Sequence, residues 1–120
     1  MKDLIPLTER KRGDRCCGTV TLRLSPAQAE ATSADLTILA HPIRLQILAM
    51  LGASGEPVCV CDLEAELPVK QPTVSHHLRL LREAGLIDCE KRGLWAYYFV
   101  RRAALTALRA RLGEQLAALG

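Results

Sequence analysis

Cysteine offers the most chemistry in this chain. Cys59 and Cys61 stand one residue apart in the stretch Val58–Glu64, VCVCDLE, and Cys16 and Cys17 are adjacent in a basic stretch near the N-terminus. Thiolate is a soft donor and selects soft ions. In an extended backbone, residues two apart project to the same side, so Cys59 and Cys61 can offer both sulfurs to one ion. A helix beginning beside them would lower their pKa through its positive end and favour thiolate near neutral pH. Cys16 and Cys17 cannot easily join in a relaxed disulfide, because neighbours do not reach the preferred dihedral and Cα separation. They sit among charges with little to bury, whereas Cys89 alternates with apolar residues and reads as packing.

Other chemistries find less support. The sequence contains no CxxC pair or phosphate-cradling loop, and suggests no Ser-His-Asp set or paired carboxylates, which points away from an enzyme. His76 and His77 are neighbours, and neighbours on a helix point about 100° apart, a poor geometry for sharing one metal ion.

The elements that must position these residues follow from composition and pattern. The 120 residues suit one domain, and with 49% hydrophobic but only 3% aromatic residues the core must be built from Leu, Ala, Ile and Val, a bias towards helices. No run of eighteen apolar residues predicts a membrane span, and the first residues lack the apolar stretch of a signal peptide. A cytoplasmic protein with reduced thiols is expected, and five cysteines is an odd number for a disulfide scaffold. Net charge is +3, but residues 68–102 hold seven basic residues against three acidic ones, a surface suited to a polyanion.

Residues 1–24 read as a flexible arm carrying the cysteine pair, and residues 25–120 as the folded domain. Ser25-Pro26 resembles a helix start, with a short helix through about Thr32 and a second one capped by Ser33. His41-Pro42 breaks the pattern, and Pro42 opens a helix whose Ile43, Ile47, Leu48 and Leu51 form a buried stripe. Val58 and Val60 predict an extended piece. Helices over Asp62–Leu67 and Gln71–Ala84, joined by a three-residue turn, have helix-turn-helix spacing. Ile87, Cys89, Trp95, Tyr97 and Phe99 then predict the inner face of a β-hairpin that turns at Lys91-Arg92-Gly93. Leu105, Leu108, Leu112, Leu116 and Leu119 stripe a terminal helix that needs a partner. The fold class expected is mainly α with a β-hairpin, a winged helix-turn-helix.

Such a fold reads DNA with the N-terminal residues of its second helix. Gln71, Thr73, Ser75, His76 and His77 occupy that end here, with Lys70 before them and Arg79 and Arg82 further along to reach the backbone. Lys91 and Arg92 at the hairpin tip reach the adjacent groove or phosphates.

HPIRLQILAML, VCVCDLE and QPTVSHHLRLLREAGLI, followed by the hairpin and terminal helix, resemble the ArsR/SmtB family of metal-sensing repressors from about Leu36 to Phe99. The resemblance implies a homodimer, joined through its N- and C-terminal helices, that binds double-stranded operator DNA and leaves it when metal binds. Lys70 departs from the serine common before QPTVS in the family, which bears on operator contact. Glu64 stands where the family's arsenite-binding form, Cys-Val-Cys-Asp-Leu-Cys, has its last cysteine, so a three-thiolate site cannot close locally and the missing ligands come from elsewhere, with Cys16 and Cys17 the obvious source. The resemblance implies As(III) held by Cys16, Cys17 and Cys59, with Cys61 a fourth or alternative ligand. Two adjacent cysteines fill two corners of the metalloid's three-thiolate pyramid, and the terminal helix carries no histidine and only Glu114 as an acid, unlike zinc- and nickel-sensing relatives. Sb(III), a four-thiolate Cd(II) or Pb(II) site, and a thiol redox sensor are the alternatives. No organic cofactor is expected.

Overall fold

The computed structural model describes residues 20–120. Helix α1 (Pro26–Leu39) leads to α2 (Pro42–Ala53), strand β1 (Val58–Cys59), α3 (Val60–Glu66), α4 (Gln71–Glu83), the hairpin β2 (Ile87–Arg92) and β3 (Trp95–Val100), and α5 (Arg102–Ala117). The expected class, mainly α with a hairpin, is the one observed.

Local chemistry sets most boundaries. Ser25 starts α1 with a capping box: its Oγ accepts from the Gln28 amide at 3.1 Å, and Gln28 Oε1 accepts from the Ser25 amide at 2.9 Å. The helix then runs unbroken to Leu39, so the expected stop near Thr32 and new cap at Ser33 do not occur. Thr32 and Thr37 bond back to carbonyls four residues earlier, which lets hydroxyl residues stay inside a helix. His41 is extended, as the residue before proline prefers, and its Nδ1 accepts from the Ile43 amide at 3.1 Å to cap α2. The chain bends by 78° between α1 and α2. Among the described residues no single helix is long and apolar enough to cross a membrane.

Helix α4 ends in a Schellman motif. Gly85 has φ 78°, the Leu86 amide donates to Leu81 O at 3.1 Å and the Gly85 amide to Arg82 O at 2.9 Å. Leu81 and Leu86 are both buried at this corner, which aims the chain into β2.

The hairpin differs from its expected register. Strand β2 continues through Arg92, which pairs with Trp95, and the turn is the two residues Gly93 and Leu94. Gly93 has φ 64°, and glycine at the first turn position suits a tight hairpin. Ile87 therefore faces Val100, Cys89 faces Tyr98 and Lys91 faces Ala96. The inner face of β3 is Ala96, Tyr98 and Val100, not Trp95, Tyr97 and Phe99; moving the turn by one residue exchanges the two faces. Trp95 is accordingly 54% exposed. Strand β1 adds to the other side of β3, making a sheet of order β1-β3-β2.

Ile47, Leu51, Leu63, Val74, Leu78, Leu81 and Ile87 fill the core with almost no exposure. Each such aliphatic side chain stabilises the fold by about 1.5–3 kcal/mol. In α5 only Leu108 is buried, at 2% exposure; Leu116 and, beyond the helix, Leu119 are 44% and 72% exposed in the single chain. Asp35 of α1 and Arg111 of α5 join through two bonds of 3.1 and 3.2 Å.

Candidate nucleic-acid interface and thiol pair

Helix α4 turns its apolar side, Val74, Leu78 and Leu81, to the core. That leaves Gln71, Thr73, Ser75, His76 and Arg79 exposed at its N-terminal and outer side, with Lys70 exposed just before it. Lys70 is the N-cap, but its side chain makes no cap bond. Pro72 has no N–H, and the Thr73 and Val74 amides donate to Lys70 O, so Gln71 holds the one open amide among the first residues of α4, beside the exposed Lys70.

His77 departs from the expected reading. It is 5% exposed and points inward, its ring tilted by 40° against that of His41 with centroids 4.1 Å apart. Nη1 of Arg44 lies 3.1 Å from its Nδ1. Burial, and then the neighbouring His41, Arg44 and His76, hold its pKa below the ordinary 6.5. Its place explains this, since it lies three residues after Val74 and four before Leu81, on the buried stripe of α4. His77 is removed from the set facing DNA.

The other cations lie on the surface in loose pairs. Arg79 meets Glu83 at 3.3 Å and His76 Nδ1 at 3.1 Å, and Arg82 meets Asp88 at 3.4 Å. Arg92 pairs with Glu90 and lies 4.5 Å above the Tyr97 ring. Exposed pairs like these are worth about 0–1 kcal/mol, so exchanging a carboxylate for a phosphate costs little. Lys91 is exposed beside them. At the tip Leu94 is 98% exposed, and with Trp95 it forms an apolar point that sequence reasoning missed. The pair Gly93-Leu94 as a two-residue turn was the signal that could have found it.

Cys59 closes β1, is buried, and is the N-cap residue of α3; Cys61 is exposed in the first turn of that helix. Their sulfurs are 2.6 Å apart. They converge because the chain bends from strand into helix between them, not because both lie in one extended piece. The expectation of a lowered pKa fails at Cys61: its hydrogen bond with Cys59, then desolvation and the charges of Cys59 and Asp62, push it up. Glu64 is half-buried one turn on. Cys89 stays with Tyr98 on one face of the hairpin, while Cys59 pairs across from Tyr97, so Cys89 does not join the pair. Burial, and then Cys89, raise the pKa of Tyr98.

The pair fits part of a soft-ion site. With metal–sulfur bonds of about 2.3 Å, two thiolates on one ion stand on the order of 3.5 Å apart, so a rotation of the two side chains suffices. Among the described residues no three His, Cys, Asp or Glu side chains gather around such a point. Cys16 and Cys17 lie outside the described residues.

An exposed polar helix end, a preceding short helix packed against it and a hairpin with a basic tip define a winged helix-turn-helix of the DNA-reading kind. Residues 41–88 match the profile of the bacterial regulatory protein, arsR family. The arsenical resistance operon repressor of Escherichia coli K12 is 49% identical over 61 residues, 51% of each chain. ArsR2 of Halobacterium salinarum is 35% identical over 88 residues, 71% of each chain. The crystal structure of the transcriptional repressor BigR from Xylella fastidiosa superposes with a TM-score of 0.59 at 28% identity, over 70% of this chain and 82% of that one. The chain spans about half the length of the E. coli relative it matches. It belongs to the arsR family of bacterial regulatory proteins. That is a family of transcriptional regulators, in keeping with the expectation that the chain is not an enzyme.

Proposed function

We propose that the chain is a cytoplasmic, As(III)-responsive transcriptional repressor that holds operator DNA as a homodimer and lets go when the metalloid is captured by its thiolates. The convergence of Cys59 and Cys61 at the foot of the helix that supports α4 carries this reading. The name of the E. coli relative, an arsenical resistance operon repressor, supports it.

In the metal-free dimer, two copies of α4 enter successive major grooves about 34–36 Å apart. Gln71 makes paired hydrogen bonds to a base, and Thr73, Ser75 and His76 contact base edges or phosphates. Lys70, Arg79, Arg82, Lys91 and Arg92 neutralise the backbone. The exposed Leu116 of α5 and Leu119 just after it, with Leu36 of α1, supply the apolar face through which two copies join.

Cys16, Cys17 and Cys59 give the three thiolates, with Cys61 as a fourth or alternative. Cys59 is fixed by β1, and Cys61 by α3. Closing the set therefore pulls on the element beneath the reading helix, and coupling of about 1–3 kcal/mol is the usual scale for such linkage.

The test is release of a duplex of the chain's own promoter region by arsenite, with sulfur ligands counted by X-ray absorption. Three As–S bonds and release are expected in the wild type. Cys16→Ser/Cys17→Ser should bind DNA normally and fail to release. Release at the same arsenite concentration by that variant would remove the arm from sensing, and release by Cd(II) or Pb(II) alone, or by peroxide alone, would reassign the inducer.

A further inference from the structure

One side chain ties three helices together, and neither the thiol pair nor the DNA-facing residues call for it. Arg44 of α2 donates from Nε to Ile38 O at 2.6 Å and from Nη2 to Thr37 O at 3.1 Å. Both acceptors lie in the last turn of α1, where carbonyls lack their full helical donors and Thr37 O has only the long 3.4 Å bond from the Ala40 amide. Nη1 of the same guanidinium lies 3.1 Å from Nδ1 of His77, on the buried side of α4. A guanidinium can only donate, so Nδ1 of His77 is the acceptor and the ring carries its proton on Nε2. The ring of His41, which caps α2, packs in a tilted contact against the same imidazole.

We infer that Arg44 is a positioning residue for DNA reading: it sets the angle of α4 against α1, with neutral His77 as its acceptor. The inference rests on the reading of α4 as the DNA-contacting helix. Among the described residues, no other side chain bonds to the end of α1 and the middle of α4 from the start of α2. If α1 also joins the two copies, this guanidinium fixes where each reading helix stands relative to its twin.

The geometry has a pH consequence. The groups facing His77 are His41 and Arg44 from the start of α2 and His76 from its own helix, the last drawn away towards Arg79. None of them carries a carboxylate. Protonating His77 would place an N–H against the Arg44 guanidinium and open the tie.

The experiment measures affinity for the promoter-region duplex against salt and pH, in the full-length chain, with thermal midpoint and oligomeric state recorded for each variant. Arg44→Met should weaken binding about tenfold, within the usual range of such couplings. The slope of log affinity against log salt should stay unchanged, because no phosphate contact is lost. A direct phosphate contact would instead lower the slope by about one. His77→Asn keeps an acceptor at the Nδ1 position, so it should bind like the wild type near neutral pH. It should lose the fall in affinity expected of the wild type on acidification below 6.5, the ordinary histidine value. Wild-type affinity in a folded Arg44→Met dimer, a reduced salt slope, or an unaltered acid response in His77→Asn would each overturn the inference. If the wild type itself binds no DNA, it is the assignment of α4 that fails, and that result is distinct from the others.

Discussion

Cys59 stands directly across from Tyr97 in the ladder between β1 and β3, and the Arg92 guanidinium of the hairpin tip lies 4.5 Å above the Tyr97 ring. The thiol pair and the wing are thus two ends of one strand-to-strand contact. A change in the backbone at Cys59 has a short path to the tip, where Trp95, the chain's single tryptophan, is half-exposed.

Trp95 emission should therefore change when arsenite is added, and the change should saturate with the metalloid bound. Cys59→Ser should abolish both the change and the release of DNA, while leaving metal-free DNA binding intact. Unaltered emission in a sample shown to hold arsenite would disconnect the wing from the thiols.

The DNA-facing residues divide by what they touch. Gln71→Ala should cost about 1–3 kcal/mol and relax the preference at one base position. Lys70→Ala and Arg92→Ala should instead weaken binding to all sequences alike and lower the salt slope by about one each. Binding titrations on the promoter duplex and on mixed-sequence DNA, at several salt concentrations, separate the two patterns. A sequence preference lost in Lys70→Ala would reverse the assignment.

His77 links stability to pH. Its folded pKa lies below the ordinary 6.5 because burial disfavours the charged ring. The unfolded chain then binds more protons than the folded one, so the stabilisation is present above 6.5 and is lost as pH falls through the folded value. Urea midpoints measured from about pH 8 down to about pH 5 span the range in which histidine titrates. They should decline at the acid end in the wild type and decline less in His77→Asn. An equal decline in both would assign the effect to other groups.

Leu116 tests the joining of two copies. It is exposed in the single chain, so Leu116→Glu should leave the fold's thermal unfolding cooperative while shifting the sedimentation coefficient towards that of the monomer. A dimer of unchanged affinity would move the interface away from the end of α5.

Most helix boundaries were legible in the residues, because their causes are local. Ser25-Pro26 with Gln28, His41-Pro42, and Ala84-Gly85 act within a few positions of themselves. The helix-turn-helix spacing, the leucine core and the soft-donor character of the cysteines follow from residue type and order alone. Tertiary structure decided the rest. Alternation with period two on β3 was satisfied equally by Trp95, Tyr97 and Phe99 or by Ala96, Tyr98 and Val100, and only the turn at Gly93-Leu94 and the packing of Val100 beside Ile87 chose between them. His77 reads as a polar residue near a DNA-reading end, yet the helical phase set by Val74 and Leu81 turns it to the core, where Arg44 arrives from 33 residues away to meet it. The proton affinity of Cys61 depends on where the sulfur of Cys59 comes to rest once β1 has paired with β3. Each of these is a choice between faces or distances that a local pattern leaves equal in energy, and burial against a distant segment breaks the tie.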